Sequence, residues 1–561
     1  MALIPLLYRV ANLDPLNRDI RFNRNKNAVV LFNSVGEKKA MKSIIWAETD
    51  TRRSFSDFSF IKRLDINALI NINYGRKFGE PERDLCEFFT VDKGTMEQRQ
   101  ELFAELLEKP TLYERLSKSF LVLEDFFEIQ KEKETALSNE KLLYSIKEIE
   151  TRVEYLKEIK SIFDEHQVKS RALLVLWEKV KPICTTKEFD TLCEEVDKQI
   201  HTITEIKSIT VGINLNAQMK PVEAGLISVH EESYVSGEFM DKLMRLNFKN
   251  SEFVCASPLV PLDKSLTAEE ASSLRASTNS ALNKVFASGL KSWAGVVKKY
   301  AVNNLNVLSH TIHEWRFIVA CMKTLVELNE NGLSLCKPNL VKNDKIEGLY
   351  HPILALNSKA DKGLIKNDLT FDDNGDIYIL TGPNQGGKSI YTQSVGILYA
   401  MLHLGLPLPA KTADIKAVDG ILVHFIDIKD RSYVHGRLSD ECEKIQAINK
   451  NITNNSLFLF DEALSSTNST EAVVIATEII TAYSDIGARG IWTTHFHELC
   501  SLENSYTSGK AKIINLCARI DETSHKRAFK IIRGYYGQSY AMDIAREYNL
   551  TKEEILKSIN N

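Results

Sequence analysis

The sequence predicts a chain of α plus α/β class, with a largely helical first part followed by a strand–helix layered domain. Three observations predict it. The stretch TGPNQGGKS at 381–389 fits the phosphate-loop pattern G-x-x-x-x-G-K-[ST], with an apolar run before it and a helix-forming run after it. Leu142, Ile146, Ile149, Val153 and Leu156 step by four and three with Glu and Lys between, a narrow helical seam. From about residue 346, short apolar runs at 377–380, 421–426, 457–460 and 491–494 alternate with helical patterns, as in a layered domain.

In chain order, residues 1–80 form a short N-terminal region whose fold the sequence leaves open. Residues 28–32 and 42–46 read as short strands or turns of helix. Arg18, Arg21, Arg24, Lys26, Lys38, Lys39 and Lys42 make this region locally basic, which suits a solvated surface or a nucleic-acid arm. Residues 81–345 read as a helical core, long enough at 142–156 for an extended hairpin or lever. Leu102, Phe103, Leu106 and Leu107 make a second apolar stripe. Within this part, 206–215 partly alternate and carry β-branched residues, so a strand fits there. A polar stretch at 251–280 precedes a helical pattern at 293–328, and 333–344 reads as a linker. Residues 346–545 are the nucleotide domain. Residues 546–561 form a helical tail opened by the capping box of Thr551 and Glu554.

At 561 residues the chain is long for a single core. Its net charge of −4 comes from 71 basic and 75 acidic residues, so nucleic-acid contact would need a local basic groove. Nine cysteines without a C-x-x-C pair exclude a zinc site of that pattern and read as reduced thiols. The longest apolar stretch, 395–410, carries His403 and two prolines and is shorter than the roughly 20 residues of a membrane span. No secretory leader is visible. A soluble, cytoplasmic protein with no membrane association is expected.

The chemistry of the loop explains its residues. Glycines let backbone N–H groups turn onto phosphates, and the following helix N-terminus adds partial positive charge. Lys388 can reach the β- and γ-phosphates, and Ser389 can hold Mg²⁺. The run LFLF at 457–460 ends in Asp461 and Glu462. An Asp at a strand end beside a phosphate loop can help order Mg²⁺, and the adjacent Glu can act as general base on water. His495 follows the next strand and can contact the γ-phosphate or the water, with His497 competing for the role. Ser439 precedes a helical pattern rich in acids at its start. It suits an N-cap, and such a terminus can equally receive the γ-phosphate of a nucleotide held by a second subunit.

These residues together resemble the MutS family of DNA mismatch repair ATPases. The loop is similar to that family's TGPNMGGKS, with Gln385 where Met is usual. DEALSSTNS at 461–469 resembles its DELGRGTS, without the Arg, and TTHFHEL at 493–499 its TTHFxEL. Tyr350, His351, Pro352, Asn367, Asp368, Ser539 and Tyr540 fall where the family has its HP, ND and SYG elements. Upstream, 88–103 and 211–215 resemble more weakly the start of the helical core and lever and the strand inside it.

The resemblance implies a P-loop ATPase domain of the ABC type, with ATP and Mg²⁺ as cofactors and a homodimer as the working assembly. Gly382, Pro383, Asn384, Gln385, Gly386, Gly387, Lys388 and Ser389 would bind the nucleotide, with Ser439 of the other subunit across it. Ser389 and Asp461 would order Mg²⁺, Glu462 would activate water, and His495 would sense the γ-phosphate. ATP binding would close the dimer and move levers that in this family surround DNA. About 80 residues precede the core where mismatch-recognising members carry two further domains, and no Phe-x-Glu wedge motif occurs there. The expectation is a truncated, MutS-like, DNA-associated ATPase that senses DNA structure in repair or recombination. An ATP-gated module that binds a protein partner without DNA is the alternative.

Overall fold

The computed structural model describes residues 43–47, 50, 55–73, 84–135, 141–200, 208–215, 217–218, 221–230, 235–236, 254–255, 293–300, 305, 308–357, 364–373, 375–383, 385–425, 437–520, 527–534, 548–552 and 555–556. Outside them lie residues 1–42 with their basic cluster and the run 28–32, the polar stretch 251–280 apart from 254–255, Asn384, Glu554, and Ser539 with Tyr540. The described residues fall into two compact units. One takes in 111–168 and 174–313, the other 42–110, 169–173 and 314–561.

Helices dominate the first unit. The long helices α4 (Pro110–Thr135) and α5 (Lys141–Glu165) are followed by α6 (Arg171–Cys184) and α7 (Lys187–Ile200). All five residues of the 142–156 seam are buried, and so are Lys147, Glu148, Glu150, Thr151 and Arg152 between them, so this helix is enclosed on more than its apolar seam. Arg115 ties α4 to α5 through Glu158 at 2.8 Å and Glu165 at 2.6 Å. Strand β1 (Ser208–Leu215), anticipated by its β-branched alternation, pairs antiparallel with β2 (Pro221–His230). The short β3 (Val235–Ser236) and β4 (Val254–Cys255) pair in parallel.

The second unit is built on a six-stranded sheet ordered β10-β11-β12-β8-β13-β14. Its strands are β8 (Asp376–Thr381), β10 (Ile421–Phe425), β11 (Leu457–Asp461), β12 (Arg489–Thr493), β13 (Lys512–Ile520) and β14 (Arg527–Arg533). All pairings are parallel except β13 with β14. β8, β10 and β12 are buried along their whole length, as expected of strands covered on both faces. A second sheet, ordered β5-β9-β6-β7, holds β5 (Asn339–Leu340), β6 (Asp344–Leu349), β7 (Asn367–Phe371) and β9 (Thr412–Ile415). Residues 333–344 are thus more than a linker. Cys336 bridges to Leu408, and β5 pairs with β9.

Helices cover the large sheet. α10 (Lys388–His403) follows β8, α11 (Arg437–Asn451) precedes β11, and α12 (Ser469–Ile486) joins β11 to β12. Phe458, Phe460, Tyr483 and Trp492 centre the core between them.

The segment before residue 110 is part of this unit. Short helices α1 (Ser59–Arg63) and α2 (Ile66–Leu69) lead to α3 (Lys93–Glu108), with α8 (Ser309–Glu330) and α9 (Pro352–Asn357) later in the chain. Residues 43–47 form neither the strand nor the helical turn that their hydrophobicity suggested. Side chains satisfy their backbone instead. Glu314 accepts from the Ile44 N–H at 2.9 Å, Ser43 Oγ from Ile45 and Trp46, and Thr95 Oγ1 from Ala47. With those donors paired, Ile44, Ile45 and Trp46 are buried without a ladder. Arg99, fully buried, donates to the carbonyls of Ile45, Phe88 and Leu404, and so joins this segment to the residue after α10.

Candidate nucleotide site

The site lies where the parallel strands end, the edge at which open α/β sheets bind ligands. β8 delivers the chain to Gly382, whose φ of 136° no side chain holds comfortably, and a Cβ there would meet Ala518 at 3.0 Å. Gly387 has φ 89° and is the N-cap of α10, and a Cβ on it would press on the Phe529 ring at 3.2 Å. Both glycines are therefore demanded by backbone and space. Between them Gln385 also has positive φ, at 61°.

Lys388 is buried and donates to the carbonyls of Gly382 at 2.9 Å and Pro383 at 3.1 Å, closing the loop around its ammonium. Burial pulls its pKa below the usual lysine value, and Glu462 and Asp461 oppose the shift. Asp461 ends β11, two strands from β8. Burial pushes its carboxyl upward, against the Ser389 hydroxyl and the charges of Lys388 and His424. Its Oδ1 is out of reach of solvent and has no hydrogen-bond partner.

Glu462 sits in left-handed backbone, φ 52°, and its N–H donates to Thr493 O at 2.9 Å. Thr494 N donates to Leu380 O, and Thr493 Oγ1 meets Thr392 Oγ1 of α10 at 3.0 Å. The ends of β8, β11 and β12 and the first turn of α10 are thereby locked together. That explains why residues from four stretches of sequence converge on one point.

A cavity of about 450 Å³ opens on this point. Gln385, Gly386, Gly387, Lys388, Ser389 and Glu462 line one end of it. Leu349, Leu354, Leu364, Ile365 and Phe529 supply its apolar lining, with Phe529 beside Gly387. Phe529 has φ 52°, strained for an aromatic residue, and Asn367 holds it there. The Asn367 amide donates to Phe529 O at 3.2 Å, and its Oδ1 accepts from Ile531 N at 2.8 Å. His351 also lines the cavity, and burial lowers its pKa.

His495 lies just past β12, exposed, with its ring 4.1 Å from that of Phe496, and it does not line the cavity. Ser439 is exposed on α11 and is also outside it. The N-cap expectation for Ser439 is corrected: α11 starts at Arg437, so Ser439 is its third residue. The reason is packing. Leu438, partly buried, packs against the core, and that contact favours a helix that begins upstream of the polar signal.

Two contributors escaped the sequence reading. Phe529 sits on a strand with no motif of its own, and Glu441 is one of several acids opening α11. Asn367 was singled out by its motif, but not for its hold on Phe529.

Comparison with known proteins agrees with this geometry. Residues 378–560 match the family model described as MutS domain V, and 91–331 match the MutS2 N-terminal domain. The DNA mismatch repair protein MutS of Chlorobium phaeobacteroides is 30% identical over 245 residues, 43% of this chain and 28% of that protein. The MutS proteins of Fusobacterium nucleatum and Clostridium kluyveri are 32% and 33% identical over 231 residues, 40% of this chain and 25% and 26% of theirs. The chain therefore spans little more than a quarter of the length of the curated relatives it matches. Loop, strand-end carboxylates and both matched segments lead to one assignment: this chain belongs to the MutS family.

Proposed function

We propose that the chain is a Mg²⁺-dependent ATPase whose turnover is coupled to DNA, working as a homodimer. The observation that carries the reading is the buried, unpartnered Asp461 Oδ1 beside Ser389 and Lys388, which themselves line a cavity with a phosphate-type loop and an apolar wall. A buried carboxylate oxygen left unpaired is costly unless a ligand completes it.

The donor set fits Mg²⁺, which is commonly held by one or two carboxylates plus substrate phosphates. Among the described residues no cluster of three or more His, Cys, Asp or Glu suits a more demanding metal. Ser389 and Asp461 would hold the ion, which when bound neutralises charge on the phosphate oxygens. The loop amides and Lys388 grip the triphosphate, and Phe529 with the aliphatic wall receives the base. Glu462 takes a proton from water as its oxygen attacks the γ-phosphorus. The bond to the ADP oxygen breaks, and ADP and inorganic phosphate leave. His495 and the partner's Ser439 complete the site when two subunits meet.

Coupling to DNA is supported by the relatives, which are named DNA mismatch repair proteins. Among the described residues no helix is long and apolar enough to cross a membrane. The test is the steady-state ATPase rate alone and with homoduplex, mismatched and branched DNA. A rate changed by one of them supports a DNA-coupled machine. A rate indifferent to all DNA, yet abolished by Lys388→Ala, favours the module that binds a protein partner.

A further inference from the structure

We propose that Glu441 is a positioning residue that sets the direction of Glu462 by holding the turn after β11 in a strained backbone; this rests on the ATPase reading above.

Three features carry the inference. First, the turn is unusual: Glu462 and Leu464 both have left-handed backbone, φ 52° and 64°, although neither is glycine. For a residue with a Cβ this conformation costs about 1–2 kcal/mol, so it persists only where neighbours hold it. Second, the holder is a single buried carboxylate on another element. Glu441, one turn into α11, accepts from the Leu464 N–H at 2.5 Å through Oε1 and from Ser466 Oγ at 2.7 Å through Oε2. His424 Nε2 of β10 lies 3.2 Å from the same Oε1. Third, these bonds fall two and four residues after Glu462, while Thr493 O holds the Glu462 N–H itself. The general base is therefore pinned at its own amide and just downstream, and Glu462 lines the cavity.

Leu464 is fully buried, so without Glu441 its N–H would be an unpaired donor. The cheapest relief is for the leucine to leave the left-handed region, which rotates the chain at 462. Burial alone would push the Glu441 carboxyl up, but the bonds from His424, Ser466 and Leu464 hold it below the usual value, so it is an acceptor at neutral pH.

The test compares wild type, Glu441→Gln, Leu464→Gly and the double variant in ATP hydrolysis, nucleotide affinity and thermal midpoint. Glutamine keeps the shape but loses one of the two carboxylate acceptors. Glu441→Gln is expected to lower kcat by about tenfold or more, since misplacement of a catalytic group by about 1 Å can cost a hundredfold. KM and ADP affinity should stay within about twofold, because Glu441 touches no loop residue. Leu464→Gly alone should keep kcat at a temperature where it is folded, with a lowered thermal midpoint because the leucine side chain is fully buried in the core. In the double variant it should recover most of the loss, since glycine holds positive φ without help. An unchanged kcat in Glu441→Gln overturns the proposal. So does a fall in which KM worsens and the protein melts early, or a loss that glycine does not relieve. A wild type that binds ATP without hydrolysing it overturns the ATPase reading itself, a result distinct from any of these.

Discussion

The two ends of the parallel sheet use similar residues to opposite purpose. At the end where β12 begins, Arg489 and Asp344 meet at 2.7 Å with no exposure of either side chain, and the Tyr399 hydroxyl and Lys416 N–H also donate to Asp344. At the other end, Asp461 shares its surroundings with Lys388 and Glu462, and one of its oxygens has no partner. Burial pushes both aspartates upward. The difference lies in what surrounds them. Both oxygens of Asp344 are met by groups of its own chain, which makes it a joint, although Arg489 Nε and Nη2 and Asp376 Oδ1 at the same end are buried without a hydrogen-bond partner. A charge left short of partners, beside a loop that lines a cavity, is a place for a ligand.

The largest effect that would sharpen this contrast is at the cavity. Glu462→Gln should cut ATP turnover by about 10²–10⁴-fold, the usual range for a positioned general base, with ATP binding intact. Unchanged turnover in a steady-state assay would remove Glu462 from that role.

Next come the two aspartates in parallel. Asp344→Asn leaves Arg489 buried against a neutral group and should cost about 3–5 kcal/mol in urea unfolding. Asp461→Asn removes a buried charge that lacks a full set of partners, so it should be neutral or stabilising while abolishing Mg²⁺-dependent turnover. Equal destabilisation of both variants would erase the distinction.

A third prediction concerns His403 at the end of α10. Its Nε2 accepts from Val418 N–H at 3.2 Å, so Nδ1 carries the hydrogen and donates to Thr90 O at 2.8 Å. Burial lowers its pKa from 6.5 to about 4. Between those values the unfolded chain takes up a proton that the folded chain refuses, so stability falls as pH drops through this window. From pH 7 to pH 5 this group alone should cost about 2 kcal/mol. Urea midpoints at both pH values would show it, and the step should shrink in His403→Gln.

The smallest expected effect is at the apolar wall. Phe529→Ala should weaken ATP and ADP alike by about tenfold, at the lower end of base–aromatic stacking energies, and leave kcat unchanged. Equilibrium binding of a fluorescent adenine nucleotide reads this directly, and unaltered affinity would place the base elsewhere.

Legibility followed the range of the interactions. The buried strands β8, β10, β11 and β12 were readable within one or two residues, because each is a local apolar run ending at a polar turn. The 142–156 helix was readable from its spacing. Residues 43–47 were misread because hydrophobicity reports burial, and only Glu314, distant in sequence, shows how their backbone is paired. Ser439 was misplaced by three residues, since the helix begins at Arg437 with Leu438 packed against the core.

By itself the sequence determined the family, the phosphate loop and the carboxylates at the end of β11. Their chemistry needs particular residues at short, fixed spacing, and that is visible in a single stretch. The tertiary structure alone decided which wall faces the loop, which hydrogen bonds meet Phe529 and Leu464 in their left-handed backbone, and that the segment before residue 110 packs with the unit that carries the 381–389 loop. Those outcomes depend on side chains such as Asn367, Glu441 and Arg99. Each acts across a gap in sequence, where no periodicity or spacing announces the partner.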